Sequence, residues 1–251
     1  MVVYGTFRNF TLGTRLWKHS EKFLLSSYSI SLRSSARQDT MSRRSRPGKY
    51  DMSKVKLRVL VDMDMVLCDF ERHFLEVYQK KFPDEPFIPL EDRKTFYVRD
   101  EYAKLGADLP DKVREVYNGQ GFFLNLPEIE GACSAVKKMA QIEDVDVFIC
   151  SSPLTDYKFC LQEKFEWIDK HLGPEWLDKI VLTKDKTMVN GHILIDDRPN
   201  IKGAVLKPSW QHVLFTAPYN RNVDLNGRCR IDSWITEEWK DIIEDFKKRI
   251  G

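Results

Sequence analysis

The stretch Leu57-Arg58-Val59-Leu60-Val61-Asp62-Met63-Asp64-Met65-Val66-Leu67 decides how this chain is read. Its short run of Val and Leu predicts a buried strand. Two aspartates spaced i, i+2 fall where that strand should end. In an open α/β sheet, ligands bind outside the carboxyl ends of the strands, which places both carboxylates at the crevice. Carboxylates that close repel one another unless a cation or a shared proton compensates. Magnesium, which favours carboxylates together with substrate phosphate, meets that demand. Taken alone, the pair also fits a solvated strand-to-loop turn.

Further strands predicted downstream end in polar groups, and their order matters. Val145-Asp146-Val147-Phe148-Ile149-Cys150 leads into Ser151-Ser152-Pro153. Ile180-Val181-Leu182 leads into Thr183-Lys184-Asp185-Lys186, and Ile193-Leu194-Ile195 into Asp196-Asp197-Arg198-Pro199. Asp/Asp, Ser/Ser, Lys and Asp/Asp at successive strand ends form a set suited to phosphoryl transfer. One Asp serves as nucleophile and its neighbour as general acid/base. Hydroxyls and an ammonium hold the phosphoryl oxygens, and a further carboxylate completes a metal site. Lys186 also reads as a surface lysine beside Lys184 and Asp185, and Asp196-Asp197 as a helix N-cap leading into Pro199.

These motifs resemble the haloacid-dehalogenase-like phosphatases, and more closely the 5′(3′)-deoxyribonucleotidases. Gly121-Phe122-Phe123-Leu124, Leu182-Thr183-Lys184-Asp185-Lys186-Thr187 and Pro208-Ser209-Trp210-Gln211-His212-Val213-Leu214-Phe215-Thr216 extend the likeness over about residues 56 to 247. The resemblance implies Mg²⁺-dependent dephosphorylation of deoxyribonucleoside monophosphates, with dUMP and dTMP favoured. By this reading Asp62 is the nucleophile and Asp64 the acid/base. The metal is held by Asp62, the Asp64 carbonyl and Asp197; Ser151, Ser152 and Lys186 hold phosphate; Asp196 and Arg198 support them from behind. Phe70, Phe96, Tyr97, Val98, Tyr117 and Phe123 are expected to line the nucleoside pocket, although each also reads as ordinary core. A homodimer is implied as well. Two rival functions stay open, a broad small-metabolite phosphatase and a silent nucleotide binder.

The second rests on one departure. The family pattern has glycine after the second aspartate, and this chain has Met65. Glycine tolerates backbone conformations that a residue with a Cβ does not. Reduced activity is expected, unless the flexible methionine side chain turns aside.

The alternation of strands and helices predicts a Rossmann-like parallel sheet with helices on both faces. The core is expected over residues 53–69 and 124–251, with a small helical cap over 70–123. Residues 69–81, 131–140 and a stretch ending near Gly173 read as helices. In the last, Tyr157, Leu161, Phe165, Ile168 and Leu172 suggest a buried stripe. Segments around 90–102 and 111–117 have helical character, and Trp239, Ile242, Ile243 and Phe246 mark a closing helix.

Of 40 Lys/Arg and 38 Asp/Glu, ten basic and two acidic residues lie in the first fifty, leaving a mildly acidic remainder. Residues 1–52 are Arg- and Ser-rich and acid-poor, the composition of a mitochondrial transit peptide, with a featureless tail and cytoplasmic residence as the alternative. No apolar run approaches the eighteen residues of a membrane span. The near-neutral balance of the whole chain makes no case for a nucleic-acid polymer as partner. Five cysteines, without C-x-x-C or zinc spacing, read as small core residues.

Overall fold

The computed structural model describes residues 56–250. The transit-peptide expectation for residues 1–52, and the proposed start of the core at residue 53, lie outside them. Six strands form one sheet: β1 (Leu57–Val61), β2 (Val145–Ser151), β3 (Ile180–Leu182), β4 (Ile193–Asp196), β5 (Gln211–Phe215) and β6 (Arg230–Ile231). Their order is β3-β2-β1-β4-β5-β6, and each paired strand is parallel to its neighbour. The chain builds outward from β1 to one edge, then returns to build from β1 to the other. That reversal beside β1 is a topological switch point, where an open α/β sheet carries its crevice.

Strand identity follows from side-chain alternation. Leu57, Val59 and Val61 enter the main core, while Leu60 packs with Cys150, Leu194 and Trp210 in a smaller cluster. Both kinds of position are buried, which explains why these strands read as continuous apolar runs. The two-residue β6 carries too little pattern to be seen in the sequence.

Helix α1 (Phe70–Lys81) starts where the Asp69 carboxylate accepts the Arg72 N–H at 3.1 Å. Two short helices follow, α2 (Val98–Tyr102) and α3 (Leu109–Tyr117), with no strand in the interval 70–123 among the described residues. Next come α4 (Ala132–Ala140), α5 (Cys160–Leu172) and α6 (Glu238–Ile250). Trp239, Ile243 and Phe246 bury the inner face of α6. No described helix is long and apolar enough to cross a membrane.

Helix α5 corrects the sequence reading. The stripe through Tyr157 and Phe165 does not face the core: Tyr157 precedes the helix and is 64% exposed, and Phe165 is 39% exposed. The buried face carries Cys160, Glu163, Lys164, Trp167, Ile168 and Leu172. Two charged residues point inward because each meets an unsatisfied partner there. The Glu163 carboxylate accepts the Gly121 and Phe123 N–H groups at 2.6 and 3.0 Å, pinning the 121–124 loop to the helix. Burying a charge is tolerated only when it is hydrogen-bonded in this way. Replacing Glu163 with Gln removes the charge and part of the acceptor capacity. We expect a loss of roughly 2 kcal/mol, the cost of leaving buried donors poorly satisfied, read as a lower midpoint in urea unfolding; an unchanged midpoint would show that the loop does not depend on this carboxylate.

Candidate functional site

The register pairs Val61 with Ile195, and the Asp62 N–H donates to the Ile195 carbonyl at 2.9 Å. The two acidic motifs thus leave adjacent strands side by side. Asp62, Asp196 and Asp197 bring carboxylate oxygens within 4.8 Å of one another, and Asp196 and Asp197 are almost wholly buried. Lys186 is no surface residue: its ammonium lies 2.7 Å from Asp62 and 2.6 Å from Asp196. Burial works against that charge, but the two carboxylates outweigh it and hold the Lys186 pKa above its ordinary value.

Three buried carboxylates face one ammonium, and the balance of charge is short. Burial pushes the Asp62 carboxyl up to about 6, with Asp196 and Asp64 adding to the effect against Lys186. Burial, aided by Asp196 and Asp62, also drives Asp197 well above the ordinary aspartate value. A divalent cation supplies the missing charge, and an all-oxygen donor set suits Mg²⁺. The residues present therefore fit the metal.

Asp196 sits within this cluster while remaining bound to protein partners. One oxygen accepts the Arg198 N–H at 2.8 Å and the other the Lys186 ammonium. The N-cap alternative fails, because no helix follows Asp196-Asp197.

Asp64 turns elsewhere. Both its oxygens lie 2.7 Å from the ammonium of Lys164, which also donates to Ser151 Oγ at 3.1 Å and lies 4.8 Å from the Phe123 ring centroid. Lys164 is buried, and the Asp64 carboxylate overcomes that burial to keep it charged. Sequence reasoning missed this residue, since a lysine in a helical segment reads as solvated surface and its partner Asp64 lies a hundred residues away. Cys68 is buried and its thiol is pushed up by burial and then by Asp64, so it offers no thiolate.

A cavity of about 480 Å³ opens over these groups. Asp62, Asp64, Ser152, Lys186, Asp196, Asp197 and Arg198 meet Phe70, Phe96, Tyr97, Val98 and Tyr117 along its wall. Arg198 donates to the Tyr97 hydroxyl at 2.8 Å and lies over the Phe96 ring. Phe123 is not among the lining residues: it is 1% exposed, packed against Phe70 and Phe122 beneath Lys164. Ser151, also buried, reaches the site through Lys164.

Met65 has φ of 60°, the left-handed conformation that favours glycine. Its side chain accepts the Glu71 N–H on sulfur at 3.3 Å and packs with Ala217, Tyr219, Phe70 and Phe96, and Met65 also lines the cavity. Left-handed backbone costs about 1–2 kcal/mol in a residue with a Cβ, and the buried thioether offsets it.

The sheet order, the acidic edge of β1 and the interposed helices define a haloacid-dehalogenase-like fold. A protein from Thermotoga maritima assigned as a β-phosphoglucomutase has the same fold, with a TM-score of 0.50 and 15% identity over 75% of this chain and 99% of that one. Residues 56–248 match the family profile described as 5′ nucleotidase, deoxy (pyrimidine), cytosolic type C protein. The human mitochondrial 5′(3′)-deoxyribonucleotidase is 49% identical over 189 residues, covering 75% of this chain and 82% of that protein. The human cytosolic type is 47% identical, covering 75% and 94%. The chain belongs to the 5′(3′)-deoxyribonucleotidase family.

Replacing Lys164 with Met would leave Asp64 without its cation. We expect turnover to fall at least a hundredfold while KM changes little, because Lys164 lies behind Asp64 and not on the cavity wall; unchanged turnover in steady-state assays would show that the pair is structural. Met65→Gly relieves the backbone but removes a buried side chain worth roughly 1.5–3 kcal/mol. A lower thermal midpoint with higher turnover is the expected pair of results.

Proposed function

We propose that this protein hydrolyses the phosphate of deoxyribonucleoside monophosphates, favouring dUMP and dTMP, in a Mg²⁺-dependent reaction through an aspartyl-phosphate. One observation carries the reading: the carboxylate cluster with Lys186 forms the floor of a cavity whose wall is aromatic. The floor suits a phosphate and its counter-ion, and the wall suits a nucleobase. The relatives named above point to the same chemistry.

Asp62 stands at the strand end with one oxygen accepting the Met63 N–H at 2.7 Å and the other against Lys186. In the proposed reaction it attacks phosphorus in line, and the bond from phosphorus to the sugar oxygen breaks. Asp64 gives its proton to that departing oxygen, then takes one from the water that hydrolyses the acyl phosphate. Lys164 orients Asp64 by meeting both of its carboxylate oxygens. Lys186 and the Ser152 side of the cavity receive the phosphoryl oxygens. Asp62, Asp197 and the Asp64 carbonyl would hold Mg²⁺, with Asp196 supporting them; the ion supplies charge neutralisation for the phosphoryl group. Residues 70–123 act as the cap that presents Phe96, Tyr97, Val98 and Tyr117 to the nucleoside.

Phosphate release from dUMP, with and without Mg²⁺, tests this. Metal-dependent turnover abolished by Asp62→Asn is the expected result. Equal rates on sugar phosphates would favour a broad phosphatase. Silence of the wild type with turnover in Met65→Gly would assign the left-handed methionine as a block. We further propose a mitochondrial matrix address, supported by the composition of residues 1–52, and a homodimer. A C-terminally tagged protein seen by microscopy and size-exclusion chromatography check each; a diffuse cytoplasmic signal or a monomer would reject them.

The pH dependence of the metal-free protein follows from Asp62 and Asp197. An unfolded aspartate releases its proton near pH 4, whereas folded Asp62 keeps it to about 6, and Asp197 is raised in the same direction. The folded state binds more protons in that window, so its stability falls as pH rises from about 4 through 6. Mg²⁺ should therefore raise the thermal midpoint more at pH 7.5 than at pH 5; equal shifts would contradict the charge deficit.

A further inference from the structure

Tyr219 stands at the centre of contacts that the proposed reaction does not use. It lies in the short 3₁₀ turn Pro218–Asn220 that follows β5. Its hydroxyl donates to Asp197 Oδ2. Asn220, next in the chain, donates from Nδ2 to the Asp197 carbonyl at 2.7 Å and to the Phe215 carbonyl at 2.8 Å. The same turn therefore grips Asp197 by both backbone and side chain. The turn is itself held, because Asn220 Oδ1 accepts the Ala217 N–H at 3.0 Å and Arg230 donates to the Asn220 carbonyl at 3.1 Å.

The phenol ring has little room to swing. Phe96 meets it edge-on at 5.8 Å, Met65 and Ala217 pack against it, and the Arg93 guanidinium lies 5.7 Å from its centroid. Arg93 is fixed in turn by two hydrogen bonds to the Glu71 carboxylate, at 2.7 and 2.8 Å, and by an ion pair with Glu101. Helices α1 and α2 thus hold Arg93, Arg93 and Phe96 flank Tyr219, and Tyr219 reaches Asp197.

The three carboxylates of the cluster are served differently. Lys186 pairs with Asp62 and Asp196, offsetting part of their charge. Asp197 receives a neutral donor instead. A hydroxyl orients a carboxylate through one directed hydrogen bond and brings no positive charge to compete with a cation. Groups that hydrogen-bond metal-ligating carboxylates from behind commonly tune metal affinity by 10–100-fold.

We infer that Tyr219 is a positioning residue for the metal site: its hydroxyl turns Asp197 toward Asp62 and Asp196 and sets the affinity for a divalent cation. The inference rests on the metal reading proposed above. Tyr219→Phe removes only the hydroxyl and keeps the ring between Met65, Phe96 and Arg93. Mg²⁺ binding to the substrate-free full chain, measured by calorimetry, should weaken at least tenfold. Turnover at low Mg²⁺ should fall in step and return toward the wild-type value when Mg²⁺ saturates, with KM for dUMP little changed. A merely structural role would lower the thermal midpoint and turnover without rescue by Mg²⁺, and would overturn the inference. Equal Mg²⁺ affinity in the two proteins would also overturn it, leaving the metal site intact. No Mg²⁺ binding by the wild type would reject the metal reading and this inference together. Tyr219→His, which restores a donor nearby, is the second variant; affinity between those of wild type and Tyr219→Phe is expected, and affinity no better than that of Tyr219→Phe would show that the donor is not what matters.

Discussion

Crowding of negative charge at the carboxyl end of β1 is the constraint around which the rest of this molecule is arranged. The carboxylate oxygens of Asp62, Asp196 and Asp197 lie within 4.8 Å of one another, with Asp196 and Asp197 shielded from water. Coulomb repulsion at such separations is weak in water but several-fold stronger at the lower effective dielectric of a protein site. The fold meets it in two ways, with an ammonium from the turn after β3 and a hydroxyl from the turn after β5, and burial raises the proton affinity of Asp62 and Asp197. Each is a partial remedy. The deficit that persists suits a divalent cation, so the destabilising feature and the proposed functional one coincide.

The same logic separates the two aspartates of the opening motif. Asp62 and Asp64 are two residues apart, yet they face different partners. Lys186 and its acidic neighbours surround the first, whereas Lys164 from α5 takes the second. Two carboxylates in distinct electrostatic surroundings suit the proposed nucleophile and acid/base roles. Helix α5 contributes twice, since Glu163, one residue earlier, ties down the loop that carries Phe123. A helix with two buried charges on its inner face is costly unless both are paired, and here both are.

Met65 shows how a locally unfavourable residue is absorbed. Its left-handed backbone conflicts with its Cβ, but the side chain enters a cluster with Ala217 and Tyr219 that a glycine would leave unfilled. Tyr219 in turn touches Asp197 and Phe96. Met65 is therefore packed against the tyrosine that hydrogen-bonds Asp197 and against Phe96 of the cavity wall.

Much of this was legible in the chain itself. Runs such as Val59-Leu60-Val61 and Ile193-Leu194-Ile195 are apolar at every position because both faces are covered, and each ends in acidic residues whose place at the crevice follows from the sheet alone. Strand existence and the parallel order of chemistry-bearing strand ends are local properties, set by side-chain period; the glycine-like demand at position 65 comes only from the family resemblance, and the positive φ there is a finding of the structure. What only the tertiary structure decided are the pairings: Lys164 with Asp64, Tyr219 with Asp197, the inward turn of Glu163, the outward turn of Tyr157 and Phe165, and the burial of Phe123 away from the cavity. A charged residue's orientation depends on whether a distant partner waits to satisfy it, and partners a hundred residues apart leave no periodic trace in sequence.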